Sequence, residues 1–403
     1  MKTIILWIGA VVIGCRLATQ ASAITTNDLQ EFTEANNRFT FKLLRDTSET
    51  RPGQNVFISP FSAGTVLQMA ADGARGVTEA QIRQILGLTN LTAQTADEAR
   101  KEISRALAEN TNITLLTANA MWCQKNTPIE ENFAKRIREY FDARVESLDF
   151  ADEKSVDAIN LWVNQKTLGK LPQLLSGPLD KNLRVLLMNG IYFKGKWEVP
   201  FQARDTTNRS FHLLSGTNKE VPTMEHHGMY RYTSGTNYQA IALAYEGGSM
   251  SMYVFLPCPG SRPDWLLSAI GSERWNSVKQ DFMTTEGTLA LPKFKLDTET
   301  EFTPLLEKSG MTLAFRDADF SKISHEPLFI SSVWQKSMLE VNEEGSEALS
   351  WTQMEMLRQG WDENKPRPFE MRVDRPFLIL IADKTTGLIL FVGMIYEPKA
   401  LGW

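Results

Sequence analysis

Histidine is the side chain that most often moves protons near neutral pH, and this 403-residue chain has four: His212, His226, His227 and His325. The adjacent pair His226-His227 carries metal-ligand chemistry. Neighbours on a strand point to opposite faces, however, so the pair reads as surface histidines and no metal is expected. The chain has no GxSxG elbow, Gly-rich phosphate loop, CxxC or HExxH. A Ser-His-Asp triad need not be local in sequence, but nothing singles out a nucleophile, and an enzyme is not expected. The residues with a pattern of their own lie near the C-terminal end. From Ser346, alternate positions Ser346, Ala348, Ser350, Thr352, Met354 and Met356 are small or apolar, and all are uncharged. The intervening Glu347, Leu349, Trp351, Gln353, Glu355 and Leu357 are mixed. A strand with one uncharged face can enter a sheet and bury that face at little desolvation cost. No hairpin partner lies nearby, and a loop-like tail with Gly360, Asp362, Asn364, Pro366 and Pro368 follows. The stretch suits a strand and is expected to be held as a long loop.

The elements that must position it follow from periodicity. Helical spacing is expected over 27–45, 63–74, 78–86, 93–110, 132–140 and 155–168. Ser59-Pro60 suits a helix cap and first turn, and Gly169-Lys170 suits a helix end. The mixed charges of the 93–110 helix, among them Asp97, Arg100, Lys101 and Arg105, read as a solvated face. Strands are expected at 55–58, 113–123, 185–193, 230–232, 238–244, 250–256, 288–295, 338–341, 371–381 and 388–392. Helices first and strands later, without βαβ alternation, mean an α+β fold with large, mostly antiparallel sheets.

Composition bounds the setting. Lys2, the apolar run from Ile4 to Gly14 and Ala21-Ser22-Ala23 read as a signal peptide over residues 1–23. The run is too short to span a membrane, and no later stretch approaches twenty apolar residues. A secreted chain starting at Ile24 loses Lys2 and Arg16 from the 43 basic residues. That leaves 41 against 48 acidic ones, a net charge of −7, which argues against nucleic acid as a partner. A hydrophobic content of 42% with ten tryptophans supports a large core. The length alone would suggest two domains, but no linker, repeat or low-complexity run divides them. Cys15 leaves with the signal peptide, so Cys123 and Cys258 remain, to pair or to stay as free thiols. Asn90, Asn112 and Asn208 head glycosylation sequons.

Several motifs, in order, together resemble the serpins, protease inhibitors that act by inserting a loop into a sheet. They are Asn55-x-Phe57-x-Ser59-Pro60-x-Ser62, Ile159-Asn160-x-Trp162-Val163 with Thr167-x-Gly169-Lys170, and Asn189-x-Ile191-x-Phe193-Lys194-Gly195-x-Trp197. Leu291-Pro292-Lys293-Phe294, Gly310-Met311 and Asp319-Phe320-Ser321 follow. Next comes Val341-Asn342-Glu343-Glu344-Gly345-Ser346-Glu347-Ala348, similar to the hinge of inhibitory members. Arg375-Pro376-Phe377-Leu378 and Thr386-Gly387-x-Ile389-Leu390-Phe391-x-Gly393 resemble the family's C-terminal signature. The overall cast is similar to serpins secreted by blood-feeding arthropods. The resemblance implies one serpin domain over 24–403, with a reactive-centre loop at about 343–370. It implies a monomer without cofactor whose partners are extracellular serine proteases, not membranes or nucleic acid. The protease becomes acylated on the loop, which then inserts as a new strand and drags the enzyme across the molecule. Gly345 to Arg358 is thirteen steps, and at about 3.3 Å each they reach roughly 43 Å.

Within that resemblance the hinge is Glu343, Glu344, Gly345, Ser346, Ala348, Ser350 and Thr352. Ser59, Asn189, Gln335 and Trp197 hold the sheet shut. Gln335 stands where a histidine is usual, while Leu349 and Trp351 stand where alanine-like residues are usual. The tail from Gly360 to Met371 is longer than typical. Counting seventeen residues from Glu343 places the cut after Gln359. Arg358, one residue earlier, suits an acidic trypsin-like pocket, and Lys365 and Arg367 are each followed by an obstructing proline. Cleavage at Met356 or Leu357 would suit a chymotrypsin- or elastase-like enzyme. The expected bond is Arg358-Gln359. The competing expectation is a non-inhibitory serpin that carries or binds a partner.

Overall fold

A computed structural model describes residues 24–175, 177–345 and 368–399. Helix α1 (Thr26–Thr50) starts at a capping box in which the Thr25 hydroxyl accepts from the Asp28 amide and the Asp28 carboxylate accepts from the Thr25 amide. Strand β1 (Val56–Ile58) leads into α2 (Pro60–Gly73), whose N-cap is Ser59 and whose every residue is buried. Helices α3 (Gly76–Ile85) and α4 (Ala93–Glu109), strand β2 (Ile113–Gln124), helix α5 (Glu131–Phe141), strand β3 (Arg144–Leu148), helix α6 (Lys154–Lys166) and strand β4 (Val185–Gly195) follow. Then come β5 (Thr207–His212), β6 (Asn218–Gly235), β7 (Tyr238–Ala244) and β8 (Met250–Pro257). The short helices α7 (Leu266–Ile270) and α8 (Ser272–Gln280) lead to β9 (Met283–Pro292), β10 (Phe294–Glu301), α9 (Thr303–Lys308) and β11 (Ile330–Val341). Strands β12 (Phe369–Arg372), β13 (Phe377–Asp383) and β14 (Ile389–Ile395) complete the described chain.

The strands form two sheets, which is the expected α+β architecture. One has five strands in the order β10-β11-β4-β2-β3. The other has nine, with the path β1-β14-β13-β8-β7-β6-β9-β12 and β5 beside β6. A single large core joins helices and both sheets, and it includes Phe57, Phe193, Phe255, Phe377 and Phe391. A second, smaller core lies where α6 covers the five-stranded sheet. There Trp122 and Trp162 meet edge to face at 5.5 Å among Ile159, Val163, Leu186 and Met188.

Strands β6 and β11 run longer than the expected 230–232 and 338–341, and four further expectations change. The strand expected over 288–295 is two strands in two sheets, because Pro292 has no N–H to continue the first ladder and the chain crosses at Lys293. The strand expected over 371–381 likewise divides at Arg375-Pro376. Its first part pairs in parallel with β9, and its second lies antiparallel between β8 and β14. A local βαβ unit does occur, since β2 and β3 pair in parallel across α5. Finally, the charges of α4 are not all solvated.

Asp97 and Arg100 are buried. Arg100 donates to the Gln68 side chain at 2.7 Å and to the Phe61 carbonyl and Thr65 hydroxyl at 2.8 Å. It also lies over the rings of Phe32 and Phe61. Asp97 accepts from Gln68 and from Arg136, which also pairs with Asp72 at 2.7 Å. Spacing cannot separate this inward pair from the outward Lys101 and Arg105, because the partners come from the facing helices α1, α2 and α5. Arg100→Met leaves the Gln68 side-chain oxygen and the Phe61 carbonyl under-satisfied, and should cost about 3 kcal/mol of stability by urea unfolding. Lys101→Met on the exposed side should stay within about 0.5 kcal/mol.

Candidate functional site

The centre of the five-stranded sheet holds one row of amides. β4 pairs antiparallel with β2 and parallel with β11, and the register sets Asn189 opposite both Asn119 and Gln335. Asn189 Nδ2 donates to Asn119 Oδ1 at 2.6 Å and to the Ser62 hydroxyl. Gln335 Nε2 donates to Asn189 Oδ1 at 2.8 Å and to the Ser59 carbonyl at 2.9 Å. Gln335 Oε1 in turn accepts from the Ser59 amide at 2.8 Å and the Ser337 hydroxyl at 3.2 Å. The side chain thus uses both of its donors and both lone pairs, four partners where a neutral histidine ring offers one donor and one acceptor. Ser59 is fixed from behind, its hydroxyl donating to the Leu390 carbonyl at 2.7 Å and capping α2. The group therefore joins the five-stranded sheet, the start of α2 and strand β14.

The β4–β11 pairing runs from Val185/Ile330 to Tyr192/Met338, stopping three residues short of both strand ends. Beyond that point the chain leaving β11 turns out over Trp197. The Trp197 indole stacks on Tyr245 at 4.8 Å, and its Nε1 donates to the Asn342 carbonyl at 2.9 Å. The amides of Trp197 and Phe201 donate to the carbonyls of Glu344 and Glu343 at 3.1 and 2.8 Å. Gly345 pairs back with Asn342 and has φ +95°, a conformation that favours glycine. A Cβ there would overlap the Gly195 carbonyl and the Trp197 amide. Glu343 is clasped by Lys293 Nζ at 2.8 Å and by the Thr206 hydroxyl at 2.7 Å.

At the far end of the loop, Phe369 stacks on Tyr232 at 4.0 Å with the rings parallel to 2°. It lies so close over Gly287 that a Cβ there would overlap its ring. Ser346, Ala348, Leu349, Ser350, Trp351, Thr352, Arg358 and Gln359 fall outside the described residues, as do residues 1–23. The described structure therefore brings together Ser59, Asn189 and Gln335, and separately Trp197 with Glu343, Glu344 and Gly345. Asn90, Asn112 and Asn208 are exposed. Cys123 and Cys258 are free, and burial pushes the Cys123 thiol up to about 12. His226 is half-buried and bonds the Tyr230 hydroxyl at 2.6 Å, while His227 lies exposed beside Thr288 and Glu286.

Sequence reasoning missed Asn119, Thr206 and Tyr245, and quoted Ser62 and Lys293 only as motif residues without a role. A lone asparagine inside the apolar run Ala118 to Cys123 was a signal for Asn119. Thr206 carries no local signal, and the motif around Lys293 does not point to Glu343, which both meet only through the fold.

A family model described as serpin (serine protease inhibitor) matches residues 34–398. Iripin-2 of Ixodes ricinus is 34% identical over 373 residues, covering 91% of this chain and 93% of that protein. Two solved structures are similar over nearly their whole lengths. Serpin48 of the insect Tenebrio molitor has a TM-score of 0.80 at 32% identity, covering 92% of this chain and 99% of its own. Human thyroxine-binding globulin has a TM-score of 0.84 at 25% identity, covering 93% and 100%.

The Glu343 clasp has a pH signature. Burial disfavours the carboxylate, but hydrogen bonds from Lys293 and Thr206 outweigh burial and hold the carboxyl below its ordinary value of 4.5. A folded-state value below the unfolded one adds stability above about pH 4.5, and that stability is lost as pH falls through the folded value. Glu343→Gln should therefore melt below the parent at about pH 7, and the two should converge as pH falls through the lowered folded-state value of the Glu343 carboxyl. A gap that persists in acid would show that the carboxylate's charge is not what holds the turn.

Proposed function

The chain belongs to the serpin family, and from that premise we propose that it is a secreted suicide-substrate inhibitor of trypsin-like serine proteases. The observation that carries this reading is the direct parallel pairing of β4 with β11, with the outgoing chain turned back at Gly345 beside the end of β4. A segment running back between them would be antiparallel to both. One slanted parallel ladder would then give way to two antiparallel ones, the more stable pairing per residue. The neutral positions Ser346, Ala348, Ser350 and Thr352 can be buried in that space without a charge. Until the loop is cut the better-paired state is out of reach, so the native state is protected kinetically.

Arg358 supplies recognition. Its guanidinium enters the protease's primary pocket and pairs with a buried carboxylate in bidentate geometry. The protease serine attacks the Arg358 carbonyl, and the Arg358-Gln359 peptide bond breaks with Gln359 leaving as the free amine. The enzyme stays joined to Arg358 as an ester on a loop that inserts. Residues 1–23 direct secretion, and the exposed Asn90, Asn112 and Asn208 accept glycans. A second reading, a serpin that carries or binds a partner without inhibiting, is favoured by the bulky Leu349 and Trp351 and by the likeness to thyroxine-binding globulin.

Mixing the protein with trypsin should give a complex that survives boiling in detergent. Clean cleavage of the loop without a complex would favour the carrier reading. Ser346→Arg, which would bury an unpaired charge on insertion, should turn inhibitor into substrate. Arg358→Ala should slow inhibition at least about a hundredfold, a loss of some 3 kcal/mol, while Gln359→Ala should matter much less. Mass spectrometry of the released C-terminal peptide identifies the bond. A peptide beginning at Gln359 supports Arg358, and one beginning at Gly360 supports the hinge count.

A further inference from the structure

Away from the loop, the inward face of α4 gathers charges that the amide row and the hinge do not use. Asp97 stands on that face and Asp72 lies in the last turn of α2, with side chains 0% and 3% exposed. Both carboxyls meet one guanidinium. Arg136 of α5 donates from Nε to Asp72 Oδ2 at 2.7 Å and from Nη2 to Asp97 Oδ2. The two carboxyls are also within hydrogen-bond reach of each other. Ionised carboxylates only accept, so a bond between them requires a proton on one.

The groups packed around the pair do not supply a second bonded cation. Arg100, on α4, turns its Nε and Nη1 to Gln68, Thr65 and the Phe61 carbonyl, and bonds neither carboxyl. Gln68 of α2 gives Asp97 a neutral hydrogen bond, and Gln94 of α4 accepts from Arg136 Nη1 at 3.0 Å. From α5, Arg136 alone among the described charged residues reaches in. Glu139 pairs with Lys101 at the surface, and Tyr140 lies against the guanidinium as a ring. Helix α1 presents the Phe32 ring to Arg100. Two like charges in contact, away from water and behind one cation, are strongly disfavoured. Burial pushes the Asp97 carboxyl up, the adjacent Asp72 adds to this, and Arg136 and Gln68 oppose it.

We propose that Asp72 and Asp97 share one proton at neutral pH, which makes the junction of α2, α4 and α5 a pH-sensitive joint that weakens in alkali. The proton supplies the bond between the carboxyls and leaves one negative charge to pair with Arg136. Its loss puts two negative charges in contact behind that single cation. The titration belongs to the pair, not to either residue alone. A folded-state value raised above the unfolded one means that the folded protein holds the extra proton. Stability from this source is therefore fully present below the ordinary carboxylate range and lost as pH rises. That direction is opposite to the Glu343 clasp. The joint does not depend on the inhibitory reading.

Asp97→Asn puts a permanently neutral donor where the proton is shared. Urea unfolding of the parent and the variant is compared from about pH 5 to about pH 9. The unfolding constant of the parent, divided by that of the variant, should rise by up to about tenfold per pH unit until the pair has titrated. A ratio that stays flat over this range overturns the proposal, and a constant offset from altered packing does not affect its slope. Infrared spectroscopy of the whole parent protein carries the test even if the variant fails to fold. Ordinary carboxyls are ionised at about pH 6, so the absorption of a protonated carboxyl should stand out there and fade by about pH 10. It should be missing from Asp97→Asn. No such absorption in the parent at about pH 6, or its persistence in the variant, overturns the proposal.

Discussion

A strand can enter between β4 and β11 only if Gln335 parts from Asn189. That contact belongs to a row of three buried amides, Asn119, Asn189 and Gln335, resting on the start of α2 through Ser59 and Ser62. Each net hydrogen bond is worth about 1 kcal/mol, but a buried amide left without partners costs about 1–3 kcal/mol. The row therefore resists partial opening more strongly than its bond count suggests. An incoming strand changes this balance, because its own backbone N–H and C=O groups can take over the partners that Gln335 and Asn189 release. The same chemistry can thus hold the sheet closed against water and yield to a strand. Glutamine serves here because it fills all four of its hydrogen-bonding positions.

The direction of entry is set at the top of the sheet. Gly345 turns the chain back over Gly195 and Trp197 in a conformation that no Cβ would fit. Glu343, held by Lys293 and Thr206, fixes where that turn begins. Trp197 is itself locked against Tyr245, so the turn is docked on a rigid ring pair. The described chain resumes at Pro368, and Phe369 is anchored on Tyr232 in the other sheet. The ends of the intervening segment are therefore tied to different sheets, and a cut between them frees one end from the other.

Helices α1 to α6 and the apolar strands β2 and β4 were legible from spacing and apolar runs, whereas the short helices α7, α8 and α9 were not expected. The resemblance singled out Ser59, Asn189 and Gln335, and the fold places them in contact through residues 127 to 276 positions apart in sequence. What could not be read were features decided by the facing element. The inward charges of α4 depend on α2 and α5, and the division of 288–295 depends on which sheet accepts the chain after Pro292. Lys293 stood in a motif without a role and Thr206 in none, until the fold placed Glu343 beside them. The reach of β11 was underestimated for a related reason. Its polar Ser332, Gln335 and Ser337 break the apolar pattern, although all three are buried and bonded.

The most direct test of loop insertion is thermal melting before and after a single cut within 346–367. If the freed segment enters between β4 and β11, the energy withheld by the uncut loop becomes equilibrium stability. The melting temperature should then rise by roughly tens of degrees. A cleaved protein that melts where the intact one does would contradict it, because the sheet would have stayed closed with its cut loop outside.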